Sequence, residues 1–264
     1  PRAKCILKNV SLIACEDTRR SGKLLKKIES KAPLLSYHKH NFKSRQSQLL
    51  DKLKSNGSIA LISDAGLPGI NDPGEELVHA ARLNNHEVIC IPGPCAATTA
   101  LVISGLPSQR FCFEGFLPKK SSERKTLLAD IAIEKRTTIL YESPHRLLLL
   151  LKELEVLCGP DRPLQVAREL TKLHEEQVGP NIAAALKHFS EKKPMGEFTI
   201  VLGGAREEKE LLYNQEKALK EMQEIIREGK TTKDAAQMIA SKSHYSKRFL
   251  YELIHKKEVI VDEE

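Results

Sequence analysis

Leu61-Ile62-Ser63-Asp64-Ala65-Gly66-Leu67-Pro68-Gly69-Ile70-Asn71-Asp72-Pro73-Gly74 is the stretch that decides the fold. An apolar run delivers the chain into small and turn-forming residues, so it reads as a buried strand ending in a loop, the place where open α/β sheets hold ligands. Gly66, Gly69 and Gly74 remove side chains that would hold a ligand away from the backbone, and Asp64 sets a carboxylate at the strand terminus. The loop lacks the Lys-Ser/Thr ending of a phosphate cradle and the G-x-G-x-x-G spacing of a dinucleotide fold. A Gly/Pro-rich loop after a strand is often only a turn, but this run is longer than a βα connection requires and suits a small polar cofactor.

Outward from this stretch, apolar runs at 11–15, 59–63, 88–91, 111–113, 138–141, 164–167 and 198–202 read as strands. Amphipathic segments lie between most of them, which implies an α/β architecture with largely parallel sheets. A helix is expected over 4–10. Asp72, Pro73 and Glu75 offer a cap, a first-turn proline and a capping-box glutamate ahead of Leu77, Val78 and Ala81. Ser143-Pro144 punctuates the start of a leucine-rich helix over 147–157, and Asn181 can cap a helix over 182–189.

Gly105-Leu106-Pro107-Ser108 interrupts the pattern and marks a boundary, giving an N-terminal α/β lobe over 1–107 and a C-terminal α/β lobe over 108–205. After Gly203-Gly204 the chain turns to charged helix, and residues 206–264 are expected to form a small helical appendage. Leu219, Met222, Ile225 and Ile226 mark one apolar face. A helix over 231–241, a turn around His244 and a helix over 246–255 with Phe249, Leu250, Leu253 and Ile254 follow. This is the pattern of a helix-turn-helix hairpin or of a plain packing appendage.

The 264 residues, 41% hydrophobic, suffice for two modest lobes and exclude disorder as the dominant state. No run approaches the ~20 apolar residues of a membrane span, and residues 1–8 lack a signal-peptide apolar region, so an intracellular, cytoplasmic protein is expected. The six cysteines form no C-x-x-C pair and imply neither zinc nor disulfides. A net charge of +7 favours an anionic partner.

Three further strand ends carry chemistry. The run 88–91 enters Pro92-Gly93-Pro94-Cys95-Ala96-Ala97-Thr98-Thr99-Ala100, whose tiny side chains let a flat group such as adenine approach the backbone. From Ala100 onward, tight helix-to-strand packing explains the small residues equally well. Tyr141-Glu142-Ser143-Pro144-His145-Arg146 places an aromatic ring, a carboxylate, an imidazole and a guanidinium at one strand end. Arg146 can clamp a phosphate and Glu142 can accept a proton or order a hydroxyl, whereas His145 reads as a surface residue. Cys15-Glu16-Asp17-Thr18-Arg19-Arg20 and Arg168-Glu169-Leu170-Thr171-Lys172 each join carboxylates to cations after a strand, as a polar cleft or surface ion pairs would.

Together these blocks resemble the bacterial 16S ribosomal RNA cytidine 2′-O-ribose methyltransferases, a branch of the tetrapyrrole-methylase superfamily. E-D-T-R, S-D-A-G-x-P-G-I-x-D-P-G, I-P-G-P, S-G-L-P, F-E-G-F-L-P, Y-E-S-P-H-R and A-R-E-L-T-K occur in the family's order. The resemblance is strong over residues 1–203 and looser beyond. It implies the two-lobed class III methyltransferase fold, S-adenosylmethionine in the cleft, a homodimer, and methylation of a cytidine in the 16S RNA of the small ribosomal subunit. It also implies cofactor contacts at Asp64, Ala65, Gly66, Ile70, Pro92, Cys95, Ala96, Ala97 and Tyr141. Leu67, Asn71 and Cys95 depart from the family's usual threonine, serine and serine. The family's first strand and its T-P-I-G-N loop have no counterpart before Pro1, so the first lobe is expected to be one strand short.

Within that resemblance, Glu142, Arg168 and Lys172 are expected around the acceptor, with a carboxylate or a lysine of depressed pKa assisting deprotonation. Arg19, Arg20 and Arg146 are the expected RNA phosphate contacts. Two rivals remain: a tetrapyrrole methyltransferase, against which stand the few aromatics and the many cations near the proposed mouth, and a non-catalytic RNA-binding remnant.

Overall fold

The structure, a computed structural model, describes residues 1–205, 215–243 and 245–261. Its first sheet comes from a repeating helix–strand pattern: α1 (Arg2–Asn9), β1 (Leu12–Cys15), α2 (Thr18–Lys27), β2 (Leu34–Ser36), α3 (Phe42–Lys54) and β3 (Ile59–Ile62). The strands pair in parallel in the order β2-β1-β3. Successive residues of β1 serve opposite faces: Ile13 packs with Leu25 and Ile28, and Ala14 with Tyr37, Leu49 and Leu77. The start of α2 is fixed by Asp17, whose carboxylate accepts from the Arg19 N–H at 2.8 Å.

The expected strand over 88–91 is not formed. β3 is laddered to β1 alone, and among the described residues no ladder bond reaches 88–91. A parallel strand exists only through its neighbour's hydrogen bonds, so the apolar run is left without regular structure, with Ile89 and Cys90 exposed. The capping reading of Asp72 also fails. α4 (Glu75–Leu83) begins after Gly74, whose φ of 151° makes the turn, and no side chain caps it.

α5 (Ala96–Ser104) ends on Gly105 in the left-handed region, φ 69°. The second sheet is then built from β4 (Phe111–Phe116), α6 (Ser121–Ile133), β5 (Thr137–Glu142), α7 (Leu147–Cys158), β6 (Leu164–Arg168), β7 (Glu176–Val178), α8 (Ile182–Glu191) and β8 (Phe198–Leu202). Its order is β4-β5-β8-β6-β7, and only β4–β5 is a parallel pair. The expectation of largely parallel sheets therefore holds for the first sheet alone, because β8 returns between β5 and β6 in the opposite sense. β2 and β7, three residues each, are too short to show a period in the sequence.

One face of the second sheet is covered by α6, α7 and α8 through Leu128, Leu147, Leu150, Leu154 and Phe189. The other face receives α5, whose Ala97, Ala100 and Leu101 pack on Ile139, Ala167 and Val201. α5 thus precedes the Gly105 break in sequence but rests on the sheet that follows it. Asn181 caps α8 as expected, accepting from the Ala184 N–H at 2.9 Å. Beyond these lobes, α9 (Gln215–Arg227), α10 (Thr232–Lys242) and α11 (Lys247–Val261) share a separate core of Ala218, Met222, Ala235, Ala236, Ile239, Leu250 and Ile254. The expected turn around His244, and residues 206–214 of the appendage, lie outside the described residues.

Candidate active site

The C-terminal ends of β1 and β3 sit side by side, as parallel pairing requires. Glu16 accepts a hydrogen bond from the Asp64 N–H at 3.3 Å, and the Arg20 guanidinium reaches the Asp64 carboxylate at 3.2 Å. Ser63 folds the loop back by donating to the carbonyls of Ala65 and Gly66 at 3.0 and 3.2 Å. Asp64 Oδ1 is buried without a hydrogen-bond partner among the described residues. Leaving such an acceptor unmet costs about 1–3 kcal/mol, so it marks a place for a ligand's donor group. Beside it, burial pushes the Asp72 carboxyl above its ordinary value, the Glu16 charge adds to the rise, and a hydrogen bond from Ser63 opposes it.

The second cofactor loop lies against the first: a Cβ on Gly66 would stand 3.9 Å from the Pro94 carbonyl oxygen. The two lobes also touch where Asn71, left-handed at φ 59° and held by Lys39 on its carbonyl at 3.3 Å, meets Gly115. A Cβ on Gly115 would approach Asn71 Oδ1 to 2.8 Å, and its φ of 61° in the β4 bulge also demands glycine. The Tyr141 hydroxyl accepts from the Ala97 N–H at 3.2 Å, while Phe113 and Phe116 pack on its ring at 5.1 and 5.6 Å between centroids. Burial raises the Tyr141 hydroxyl pKa, with Cys95 the next contributor.

Of the residues expected to hold cofactor, Asp64, Ala65, Gly66, Cys95, Ala96 and Tyr141 are therefore brought to one region, and Pro92 lies exposed at its edge. Ala97 is spent on packing: its methyl is buried against the second sheet and its N–H is taken by Tyr141. Ile70 lines a cleft of about 400 Å³ with Leu61, Leu67, Val78 and Arg82.

The expected catalytic set is rearranged. Glu142 is 1% exposed and lies between Arg124 and Arg146, each at 3.6 Å, with a hydrogen bond from the Ser143 N–H at 2.8 Å. Arg124, itself buried, also pairs with Glu153 at 2.7 Å. A carboxylate enclosed by two guanidinium groups is a structural anion here rather than a base open to an acceptor. Arg146 donates to the carbonyls of Leu117 and Pro118 at 3.0 and 3.2 Å, so its guanidinium is committed to holding the loop after β4 rather than offered to a phosphate.

Arg168 is held by the Met195 carbonyl at 2.6 Å and Glu176 at 2.8 Å. Lys172 pairs with Glu169 at 2.9 Å and Glu197 at 3.0 Å, and these hydrogen bonds raise its pKa. A lysine of depressed pKa is thus overturned: two carboxylates keep it a cation. Arg19 is the most exposed of the expected phosphate contacts, paired with Asp17 at 2.9 Å at the start of α2.

Sequence reasoning passed over Arg124 and Glu153, which face each other from α6 and α7 and gave only the signal of charges inside apolar helices. Asp72 was visible but misassigned, since D-P-G-E imitates a capping box. Lys39 had no signal, because its role depends on the β2–α3 connection reaching Asn71.

Two α/β lobes whose strand-end loops meet around Tyr141 place this chain among the two-lobed methylases. The backbone matches that of the methyltransferase CobJ with a TM-score of 0.57 at 19% identity, over 78% of this chain and 87% of CobJ. It also matches uroporphyrin-III C-methyltransferase from Thermus thermophilus, solved with S-adenyl homocysteine, at a TM-score of 0.51 and 17% identity, over 76% of this chain and 89% of that one. The chain belongs to the tetrapyrrole (corrin/porphyrin) methylase family, whose model matches residues 1–185. It is 46% identical to ribosomal RNA small subunit methyltransferase I of Synechocystis sp., over 96% of this chain and 91% of that relative.

Proposed function

We propose that this chain transfers a methyl group from S-adenosylmethionine to the ribose 2′-hydroxyl of a cytidine in 16S ribosomal RNA. The observation that carries the reading is the meeting of the 63–70 loop with the 92–97 segment at Gly66 and Pro94, with Tyr141 bonded to Ala97 of that segment and a buried Asp64 oxygen left unsatisfied in the first loop. The 46% identity to a small-subunit methyltransferase supports the choice of acceptor. Bound in that cleft, the cofactor would supply an electrophilic methyl group. Asp64 has a free acceptor for a cofactor donor, Gly66 and Pro94 form the close-approaching backbone, and the ring of Tyr141 closes the side toward the second lobe.

Arg168 and Lys172, both fixed by carboxylates, stand as cations at the end of β6, where they orient the acceptor strand. With Lys172 held protonated and Glu142 enclosed, none of the three residues expected to surround the acceptor is an accessible base. Arg168 and Lys172 would hold the 2′-hydroxyl toward the cofactor's methyl group, the hydroxyl proton would pass to solvent water, and that positioning would carry most of the acceleration. The reading includes action as a homodimer in the cytoplasm. No helix among the described residues is long and apolar enough to cross a membrane.

The test is a methyl-transfer assay offering small ribosomal subunits that lack the modification and, separately, a tetrapyrrole. Incorporation into a nuclease-resistant 2′-O-methylcytidine is the expected result. Label on the tetrapyrrole alone would reassign the acceptor, and cofactor binding without transfer to either would leave a non-catalytic protein.

A further inference from the structure

The positive charge of this chain is concentrated at one end. Residues 1–54 hold fourteen Lys and Arg against four Asp and Glu, a larger excess than the whole chain's +7. The C-terminal unit, 206–264, holds twelve against thirteen, so the helix-turn-helix pattern there has no electrostatic claim on a polyanion.

The excess is displayed on α2. Ser21 and Leu25 turn inward to the first sheet, leaving Arg19, Arg20, Lys23, Lys26 and Lys27 on the solvent side. Arg20, Lys23 and Lys27 are spaced i, i+3, i+7 and share one stripe along about 10 Å of helix. Lys23, Lys26 and Lys27 have no carboxylate partner among the described residues. At one end of the stripe, Arg20 meets Asp64 in the candidate site. At the other, Lys27 lines a shallow crevice with Lys4 and Lys8 of α1, where the single carboxylate, Glu29, pairs with Lys8 at 3.2 Å.

We infer that the exposed face of α2, continued by Lys4 and Lys8, is the surface on which the RNA sugar–phosphate backbone next to the acceptor ribose docks. The inference rests on the acceptor being ribosomal RNA. A line of exposed cations leading out of a cleft, with Lys23, Lys26 and Lys27 free of carboxylate partners among the described residues, is what phosphate neutralisation requires, and it carries no base-reading groups. The surface therefore supplies register and affinity, while the cleft selects the nucleotide.

The experiment compares the full chain with K23E/K27E and with K187E/K193E, an equal charge reversal at exposed positions on and just beyond α8. Unchanged melting and unchanged S-adenosylmethionine binding establish that each variant keeps its fold and cofactor site. On unmethylated small ribosomal subunits, K23E/K27E is expected to raise KM several-fold with kcat at saturation retained, and to lower the slope of log affinity against log salt by about 2. The α8 variant is expected to match the parent in both. Equal behaviour of the two variants, with an RNA-active parent, removes the docking surface and leaves the acceptor reading intact. A parent that methylates a tetrapyrrole and no RNA removes both.

Discussion

The Tyr141 hydroxyl, at the end of β5, accepts a 3.2 Å hydrogen bond from the N–H of Ala97 in the first turn of α5. That bond ties the 92–97 segment to the second sheet, and it satisfies one of the four N–H groups that a helix start leaves open. Tyr141→Phe keeps the ring between Phe113 and Phe116 but deletes the acceptor. A stability loss of about 1 kcal/mol is expected by denaturant titration, together with weaker S-adenosylmethionine binding by calorimetry. A variant indistinguishable from the parent in both would show that the bond does not position the loop.

Glu142 offers a second, larger effect. Its removal leaves Arg124 with Glu153 as its remaining carboxylate and Arg146 without one, so Glu142→Ala should destabilise the fold by about 2–3 kcal/mol. Glu142→Gln should retain part of that stability and the parent's pH–rate profile. Loss of a profile limb in a folded Glu142→Gln protein would restore the carboxylate as a base.

For Lys172 and Glu169 the pH dependence has opposite signs at the two ends. The lysine pKa is raised above its ordinary 10.5 by the hydrogen bonds it donates to Glu169 and Glu197, so its contribution is complete below that value and is lost as pH rises through the folded pKa. The Glu169 pKa is lowered below its ordinary 4.5 by Lys172, so its contribution is complete above that value and is lost as pH falls through the folded pKa. Melting temperature plotted against pH should show a plateau between these limits that shrinks in Lys172→Met. A Lys172→Met plateau as high as the parent's would mean the pair adds nothing.

Asp72 runs the other way. Burial, then the Glu16 charge, raise its pKa above the ordinary 3.8, so stability is fully present below that value and falls as pH rises through the folded pKa. Asp72→Asn removes that loss. It should melt above the parent at neutral pH and converge with it in acid, and a lower neutral melting point would show that the carboxylate's contact with Ser63 outweighs its burial.

Much of this site was legible because strand ends are punctuated. Glycine and proline after β3, and charges after β1, β5 and β6, announced loops that the fold does gather. What was illegible depended on partners distant in sequence. The run 88–91 has the composition of a strand, but a strand is defined by its neighbour, and β3 does not reach it. Glu142 looked like a base because the sequence cannot show Arg124, eighteen residues earlier, closing over it from α6. Lys172 looked tunable until Glu169 and Glu197 were seen to converge on it.

The same dependence on distant partners makes Gly115 the sharpest probe of the junction between lobes. Gly115→Ala meets two separate penalties: a left-handed φ of 61° and a contact of 2.8 Å with Asn71 Oδ1. The first costs about 1–2 kcal/mol for any L side chain; the second exists only while Asn71 keeps its amide. Asn71→Gly tolerates that residue's own φ of 59° and removes the obstructing oxygen. In a double-mutant cycle, Gly115→Ala should therefore be less destabilising in the Asn71→Gly background than in the parent, with the residue of the effect set by backbone strain. Methyl transfer should recover alongside it, because the loop that carries Asn71 also carries Asp64 and Gly66. Strict additivity of the two substitutions in stability would mean that the lobes do not press on each other at this point.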